Sequence, residues 1–343
     1  MMALIGWDIG GAHLKAARLE EGRITAAIQV PCPLWLGLDQ LDRALGLAAA
    51  ALGAASRHAV TMTGELVDVF EDRQSGVEAI AGMLQGRLGP DILFYAGRDG
   101  WAAPQDVGRL ATEIASANWH ASASLAGRAH PDCLFMDIGS TTTDVVPVAG
   151  GRGAARGRTD AERLAAGELV YTGATRTFLM AVARSVPFRG AWTPLMNEYF
   201  ASIADVHRVL GELPEGADQH RTADGRDKSV GASRVRLARM LGRDVSEAGD
   251  AEWTAVAAAL AEMQIRTIHD AVLQVVSALP EPPPVIVGAG VGRFLIRRLC
   301  ARMGRPCADF GTLVPCAPGA ADAAADCGPA AAVALLLDQA APE

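Results

Sequence analysis

The sequence predicts an α/β protein of two like domains around a central cleft, with a helical insertion in the second. Three observations predict it. A strand, acidic residue, glycine turn and second strand occur from Ile5 to Lys15 and recur, longer, from Phe135 to Val146. Around these hairpins, short apolar runs alternate with helix-period segments, the order that builds a mixed sheet covered on both faces. After Pro187 that alternation stops and polar helical text takes over. The domains are expected at 1–130 and 131–343, with 190–250 as a helical lid or substrate subdomain.

Taken in order, Ala3 to Ile9, His13 to Leu19 and Ile24 to Val30 read as three adjacent strands, separated by the Gly10-Gly11 and Glu21-Gly22 turns. Asp39 to Ala55 has helical character, with Leu41, Leu45 and Leu52 near one face. A strand at Ala59 to Met62, a helix at Gly76 to Leu88, a strand at Ile92 to Ala96 and part of a helix at Val107 to Ala117 follow. Cys133 restarts the strand pattern, and Glu168 to Tyr171 supplies its next strand. Met196 to Leu210 and Ser233 to Leu241 read as helices of the insertion. Trp253 to Leu279 is the longest helical pattern, with Leu260, Ile265, Ile268 and Val272 in its apolar stripe and Pro280 stopping it. Val285 to Val287 is a buried strand opening into Gly288-Ala289-Gly290, followed by a helix at Phe294 to Met303. Ala320 to Leu337 closes the pattern as two helical pieces broken near Gly328-Pro329.

At 343 residues, half of them apolar and 20% charged, the chain can bury two cores. Its net charge of −8 supports no broad basic face, so nucleic acid is not an expected partner. No signal peptide or bilayer-length apolar run is evident, which makes the cytoplasm the expected location and a membrane an unexpected partner. A homo-oligomer stays open. The six cysteines form no C-x-x-C pair and read as buried free thiols.

The chemistry concentrates in the loops. Asp8, Gly10 and Gly11 form the first candidate phosphate loop, where glycines let a ligand approach the amides and Lys15 can reach an anion. An ordinary surface hairpin is the bland reading. Asp137, Gly139, Ser140, Thr141, Thr142 and Asp144 form the second. Four hydroxyls beside two aspartates are poor core filler and suit an anion with a cation, Asp8, Asp137 and Asp144 being the candidate Mg²⁺ ligands. Gly288 and Gly290, after a strand and before a helix, are a third candidate ligand loop or a packing device. Glu65 and Asp68 lie past a strand end, where ligands of α/β proteins gather, or serve as a helix cap. His220 and Lys228 sit in the most basic local segment, which either closes over a phosphate, with His220 as base and Asp205 and His207 of the preceding helix lining the same mouth, or stays solvated.

The paired Asp-x-Gly hairpins and the late glycine loop resemble the actin/sugar kinase/Hsp70 superfamily. Within it, Gly6 to Ala12, Met136 to Asp144, Met62 to Asp68, Asn197 to Phe200 with Ala204 to His207, and His220 to Lys228 are similar to the hydantoinase/oxoprolinase-like group, in its branch linked to tetrahydromethanopterin-dependent one-carbon transfer. The resemblance implies two actin-like (ribonuclease H-like) domains. It further implies a transferase of methanofuran biosynthesis joining 5-(aminomethyl)-3-furanmethanol diphosphate to the phenol of γ-glutamyltyramine, or of a tyrosine-type analogue, with release of diphosphate. Glu65, Asp68, Asp137, His220 and Lys228 would carry that chemistry, with His220 or Glu65 as the base that takes the phenolic proton. His13 stands where the family pattern has asparagine, whereas Lys15 is retained. ATP is expected only on the alternative reading, a kinase or oxoprolinase-type hydrolase; a nucleotide-controlled assembly protein is the non-enzymatic one.

Overall fold

The computed structural model describes residues 3–340. Strands β1 (Leu4–Ile9), β2 (His13–Glu20) and β3 (Arg23–Pro31) form an antiparallel meander. Helix α1 (Leu38–Leu52) leads to β4 (Arg57–Met62), and α2 (Arg73–Leu88) leads to β5 (Ile92–Tyr95) and the two-residue β6 (Trp101–Ala102). The resulting sheet runs β3-β2-β1-β4-β5-β6, with β1, β4 and β5 parallel. Helices α3 (Ala111–Ile114) and α4 (Asn118–Ala129) follow.

The second half repeats the plan. Hairpin β7 (Cys133–Ile138) and β8 (Thr143–Ala149) is followed by β9 (Arg152–Gly153), α5 (Asp160–Ala166) and β10 (Leu169–Val170). Next come α6 (Leu179–Val182), the hairpin β11 (Ser185–Phe188) and β12 (Ala191–Pro194), α7 (Ile203–Val209), α8 (Val230–Met240) and the 28-residue α9 (Asp250–Ser277). The chain returns to the sheet with β13 (Ile286–Ala289), α10 (Arg293–Met303) and β14 (Cys307–Asp309), then ends in α11 (Ala321–Asp326) and α12 (Gly328–Gln339). The second sheet runs β10-β8-β7-β13-β14. Numbered by chain order among the strands of its own main path, each sheet reads third, second, first, fourth, fifth, and the first adds β6 at its edge. This is the actin-like fold: two mixed α/β sheets flank a cleft, and a helical insertion interrupts the second.

The cores explain the alanine-rich composition. Helix α12 carries ten successive buried residues, Gly328 to Leu337, and packs on β1, β2, β4 and α4. A side chain on Gly6 would lie 2.0 Å from the Ala330 carbonyl oxygen, so only glycine in β1 admits this approach. Helix α4, from the first half, packs on β7, β8 and β9 of the second sheet. The two sheets are thus joined by exchanged helices, and each buried Leu or Val there contributes about 1.5–3 kcal/mol.

Helix α9 divides its burial between two cores. Trp253, Val256, Ala257, Leu260 and Ala261 belong to the insertion core with Phe188, Ile203 and Leu237, whereas Ile265, Ile268, Val272 and Val275 pack with the second sheet. Two helical expectations shorten. In the Met196 to Leu210 segment only α7 is helical: the Met196 amide bonds to the Met240 carbonyl, Phe178 bridges to Ser202, and Asp205 accepts from the Ser202 amide where the helix begins. Helix α3 spans only four residues of the Val107 to Ala117 segment, which ends at Ser116 with φ +51°. That left-handed conformation cannot continue a helix. No helix among the described residues is long and apolar enough to cross a membrane.

Candidate active site

The two hairpins end in turns of one geometry. The Gly10 amide donates to the His13 carbonyl at 3.0 Å, and the Gly139 amide to the Thr142 carbonyl at 3.0 Å. Their registers also match, with Asp8 opposite Lys15 and Asp137 opposite Asp144. The loops face each other, His13 Nδ1 lying 3.0 Å from Ser140 Oγ. Gly173 abuts the second loop so closely that a side chain there would meet Thr141 N at 2.6 Å. The Ala174, Thr175 and Arg176 amides hold that loop through the Gly139 and Ser140 carbonyls.

Between the loops lies a cleft of about 440 Å³. Asp8, Gly10, Gly11, Lys15, Asp68, Asp137, Gly139, Ser140, Thr141, Thr142 and Asp144 line it. Thus ten candidate loop residues and Asp68 share one wall system. Three side chains unforeseen in the sequence, Ser116, Arg163 and Arg176, line it too. Arg176 follows the run Thr172-Gly173-Ala174-Thr175, a hydroxyl-rich signal that could have been read in the sequence. Arg163 had no such signal.

At the centre, Lys15 Nζ lies 3.6 Å from Asp8 Oδ2, and Arg163 donates to Asp144 Oδ1 at 2.9 Å and to the Glu168 carbonyl at 2.9 Å. The Arg163 guanidinium also stacks over Trp119 at 4.2 Å. Burial pushes the Asp137 carboxyl up to about 7, against the opposing pull of Lys15. It raises Asp8 and Asp144 as well, outweighing Lys15 and Arg163 respectively. Burial also works against the Lys15 charge, but Asp8, Asp137 and their neighbours hold that ammonium above its ordinary value. Three carboxyls against two cations leave the centre short of positive charge once Asp137 ionises.

That shortage is the test for Mg²⁺. Among the described residues no three acidic, histidine or cysteine side chains converge into a protein cage for an ion. Asp144 is engaged by Arg163, while Asp8 Oδ1 and Asp137 Oδ1 are buried with no hydrogen-bond partner. Two orphaned carboxylate oxygens beside the candidate anion-binding loops fit a magnesium ion carried by a phosphate group and its waters better than an all-protein site.

His13, on the cleft wall, packs edge to face against His220 with the rings 4.6 Å apart, and Trp35 lies 5.8 Å from His220, which does not itself line the cleft. Burial pulls His13 down to about 2, helped by His220, and pulls His220 down to about 4, helped by Arg176. Both rings are neutral at pH 7. Arg176 donates to Thr141 Oγ1 and stacks over Trp35 at 4.8 Å.

Glu65 is fully buried beneath the cleft. Its Oε1 accepts from Ser116 Oγ at 2.7 Å, its Oε2 has no partner, and Ser116 Oγ lies 3.3 Å from Asp160 Oδ2. Burial raises the Glu65 carboxyl above the usual range. Gly76 fits against its backbone, where a side chain would stand 2.2 Å from the Glu65 carbonyl oxygen. The Gly-Glu-Leu of Gly64 to Leu66 recurs at Gly167 to Leu169, where it serves a different structure: the Glu168 carboxylate accepts the Arg156 and Gly157 amides.

Three expected groups lie elsewhere. Lys228 turns away, donating to the Asp218 carbonyl and pairing with its carboxylate. The basic segment around it is neutralised internally, Arg236 and Arg239 binding Asp224 and Arg208 binding Asp218. Asp205 and His207 are buried within the insertion instead of lining the mouth. Gly288 and Gly290 do not line the cleft. Gly288 packs against Ile296, and the Gly290 and Gly292 amides are committed to the Ala325 and Ile138 carbonyls. Tight packing, including a Gly290 position only 2.2 Å from Asp137 Oδ1 for any added carbon, accounts for these glycines.

A model of the hydantoinase/oxoprolinase family matches residues 56–327, from the first sheet through α11. The chain belongs to the hydantoinase/oxoprolinase family. It is 30% identical over 242 residues to a (4-{4-[2-(γ-L-glutamylamino)ethyl]phenoxymethyl}furan-2-yl)methanamine synthase of Methanocaldococcus jannaschii, covering 70% of this chain and 72% of that one. A synthase of the same name from Methanococcus vannielii is 35% identical over 116 residues, covering 34% of this chain and 52% of that one. Among solved structures, nucleotide-free acetone carboxylase matches with a TM-score of 0.57 at 11% identity, over 86% of this chain and 67% of that one. That likeness concerns the fold alone. The family match includes the second hairpin but begins after Asp8 and Lys15, so the first hairpin's resemblance to the second rests on geometry.

Proposed function

We propose that this family member is a transferase that joins a furanylmethyl diphosphate to a phenol, forming an aryl ether and releasing diphosphate in the biosynthesis of methanofuran or an analogue. One observation carries the reading: a single cleft is lined both by candidate anion-binding groups, the two facing hairpins, Lys15 and Arg176, and by the apolar or aromatic side chains Trp35, Leu66, Val67 and Tyr171. A diphosphate suits the first and an aromatic acceptor the second. The relationship to the two archaeal synthases supports the substrates, since the phenoxymethylfuran in their name contains that ether.

In the proposed reaction the furanylmethyl C–O bond to diphosphate breaks and the phenol oxygen bonds to the same carbon. Lys15 and Arg176 stabilise the charge growing on the departing diphosphate, together with the loop amides and the Ser140 and Thr141 hydroxyls. Magnesium, when held through Asp8 and Asp137, would add further neutralisation of that leaving group. The furan ring stabilises positive character at its methylene carbon, so departure can lead phenol attack. Burial of the centre under α12 and Gly290 keeps these charges in a setting of low polarity, where they act strongly.

The test is mass spectrometry of the purified protein with Mg²⁺, furanylmethyl diphosphate and γ-glutamyltyramine, tyramine or tyrosine. Ether product with stoichiometric diphosphate is expected from at least one acceptor. No ether with any acceptor would overturn the proposal, and turnover that needs ATP and releases ADP would replace it with a kinase or hydrolase.

A further inference from the structure

We propose that Ser116 is the group that takes the acceptor's proton, relaying it to the buried Glu65, with Asp160 positioning the Ser116 hydroxyl. The inference rests on the proposed ether-forming function; it chooses Glu65 over His220 as the final proton acceptor and adds Ser116 as the group between it and the substrate. Ser116 adopts φ +51°, a conformation L side chains rarely take, and its hydroxyl stands on the cleft wall between two carboxyl groups from different halves of the chain. Strain in a non-glycine residue at a cleft wall, where glycine would be easier, points to a need for the side chain.

The hydrogen-bond count gives that need its chemistry. Ser116 has one proton and two carboxyl neighbours, at 2.7 Å from Glu65 and 3.3 Å from Asp160. The short bond takes the hydroxyl proton, so the oxygen keeps a lone pair free to accept another. Asp160 is already tied to Arg73 at 3.3 Å, and both side chains are partly exposed. A phenol seated there would donate to Ser116 Oγ while Ser116 passes its own proton to Glu65 Oε1. Phenol becomes phenolate, Glu65 becomes the neutral acid, and Ser116 is unchanged. The phenolate electron pair forms the new C–O bond as diphosphate leaves with the old one. Burial suits Glu65 to the role, since it makes the carboxylate a stronger proton acceptor than an exposed one. The charged groups facing Glu65 are Asp160 on α5 and Arg73 on α2.

Ser116→Gly separates this role from a structural one, because glycine accepts the φ of +51° and removes the hydroxymethyl group without adding backbone strain. With tyramine as acceptor we expect kcat to fall by about 10²–10⁴-fold. A phenol made acidic by a ring nitro group needs no base, so the same variant should recover most of the wild-type rate with it. Glu65→Gln should show the same recovery and lose the rise of kcat with pH that ionisation of Glu65 produces in the wild type. Equal losses with both phenols, or no loss with either, would overturn the relay while leaving the ether-forming function intact. Absence of ether from the wild type with every phenol would instead overturn that function and the relay together. A carboxylic-acid infrared band that titrates in the wild type and vanishes in Glu65→Gln is expected without any substrate; its absence would overturn the relay on its own.

Discussion

Replacing Asp137 with asparagine should stabilise the free protein while suppressing turnover. Asp137 is 5% exposed, and its Oδ1 has no hydrogen-bond partner. Burial lifts its carboxyl from 3.8 to about 7, which sets about 4 kcal/mol against the ionised form in the fold. Because the folded value exceeds the unfolded one, the folded state binds more protons between those two values, and stability falls as pH rises through that window. An asparagine at this position would carry neither the charge nor the slope. His13 and His220, whose folded values are depressed, contribute the opposite slope below their ordinary value, but they are common to both proteins and largely cancel in the difference. Urea unfolding from pH 5 to pH 8 should show Asp137→Asn ahead by about 1–2 kcal/mol at the acid end and by about 4 kcal/mol at the alkaline end. A gap independent of pH, or a variant less stable than wild type at pH 8, would refute the reasoning. Ether formation by the variant should fall sharply, and unchanged turnover would remove Asp137 from the site.

Arg163→Met leaves Asp144 buried without its partner and should cost about 3–5 kcal/mol in urea unfolding, most of it restored by adding Asp144→Asn. Gly290→Ala adds a carbon 2.2 Å from Asp137 Oδ1 at φ +84°, and thermal unfolding should register a loss of about 3 kcal/mol. Inorganic diphosphate with Mg²⁺ at a hundred times its Kd should raise wild-type stability by about 2.7 kcal/mol in the same assay, with a markedly smaller gain in Arg176→Met.

Much of the fold was legible because its signals are local. The Asp-x-Gly hairpins, the strand–helix alternation and the α9 stripe each depend on residues close together in the chain, and periodicity reports them directly. The Met196 to Leu210 segment misled for the converse reason. Its helical periodicity was overridden by Met240 and Phe178, which hold its first residues extended from a distance. The 220–228 segment misled through charge: its bases looked available, but Asp218 and Asp224 stand beside Arg208, Arg236 and Arg239.

The sequence alone determined two acidic glycine hairpins and the α/β architecture that carries them, since turn residues and β-branched runs act over a few positions. Only the tertiary structure decided which charges survive neutralisation. It buried Asp8, Asp137 and Asp144 around Lys15 and Arg163, placed Ser116 between Glu65 and Asp160, and committed the amides of the late glycine loop to the Ala325 and Ile138 carbonyls. A group's proton affinity and availability depend on solvent exclusion and on neighbours distant in the chain, and those exist only once the two sheets face each other.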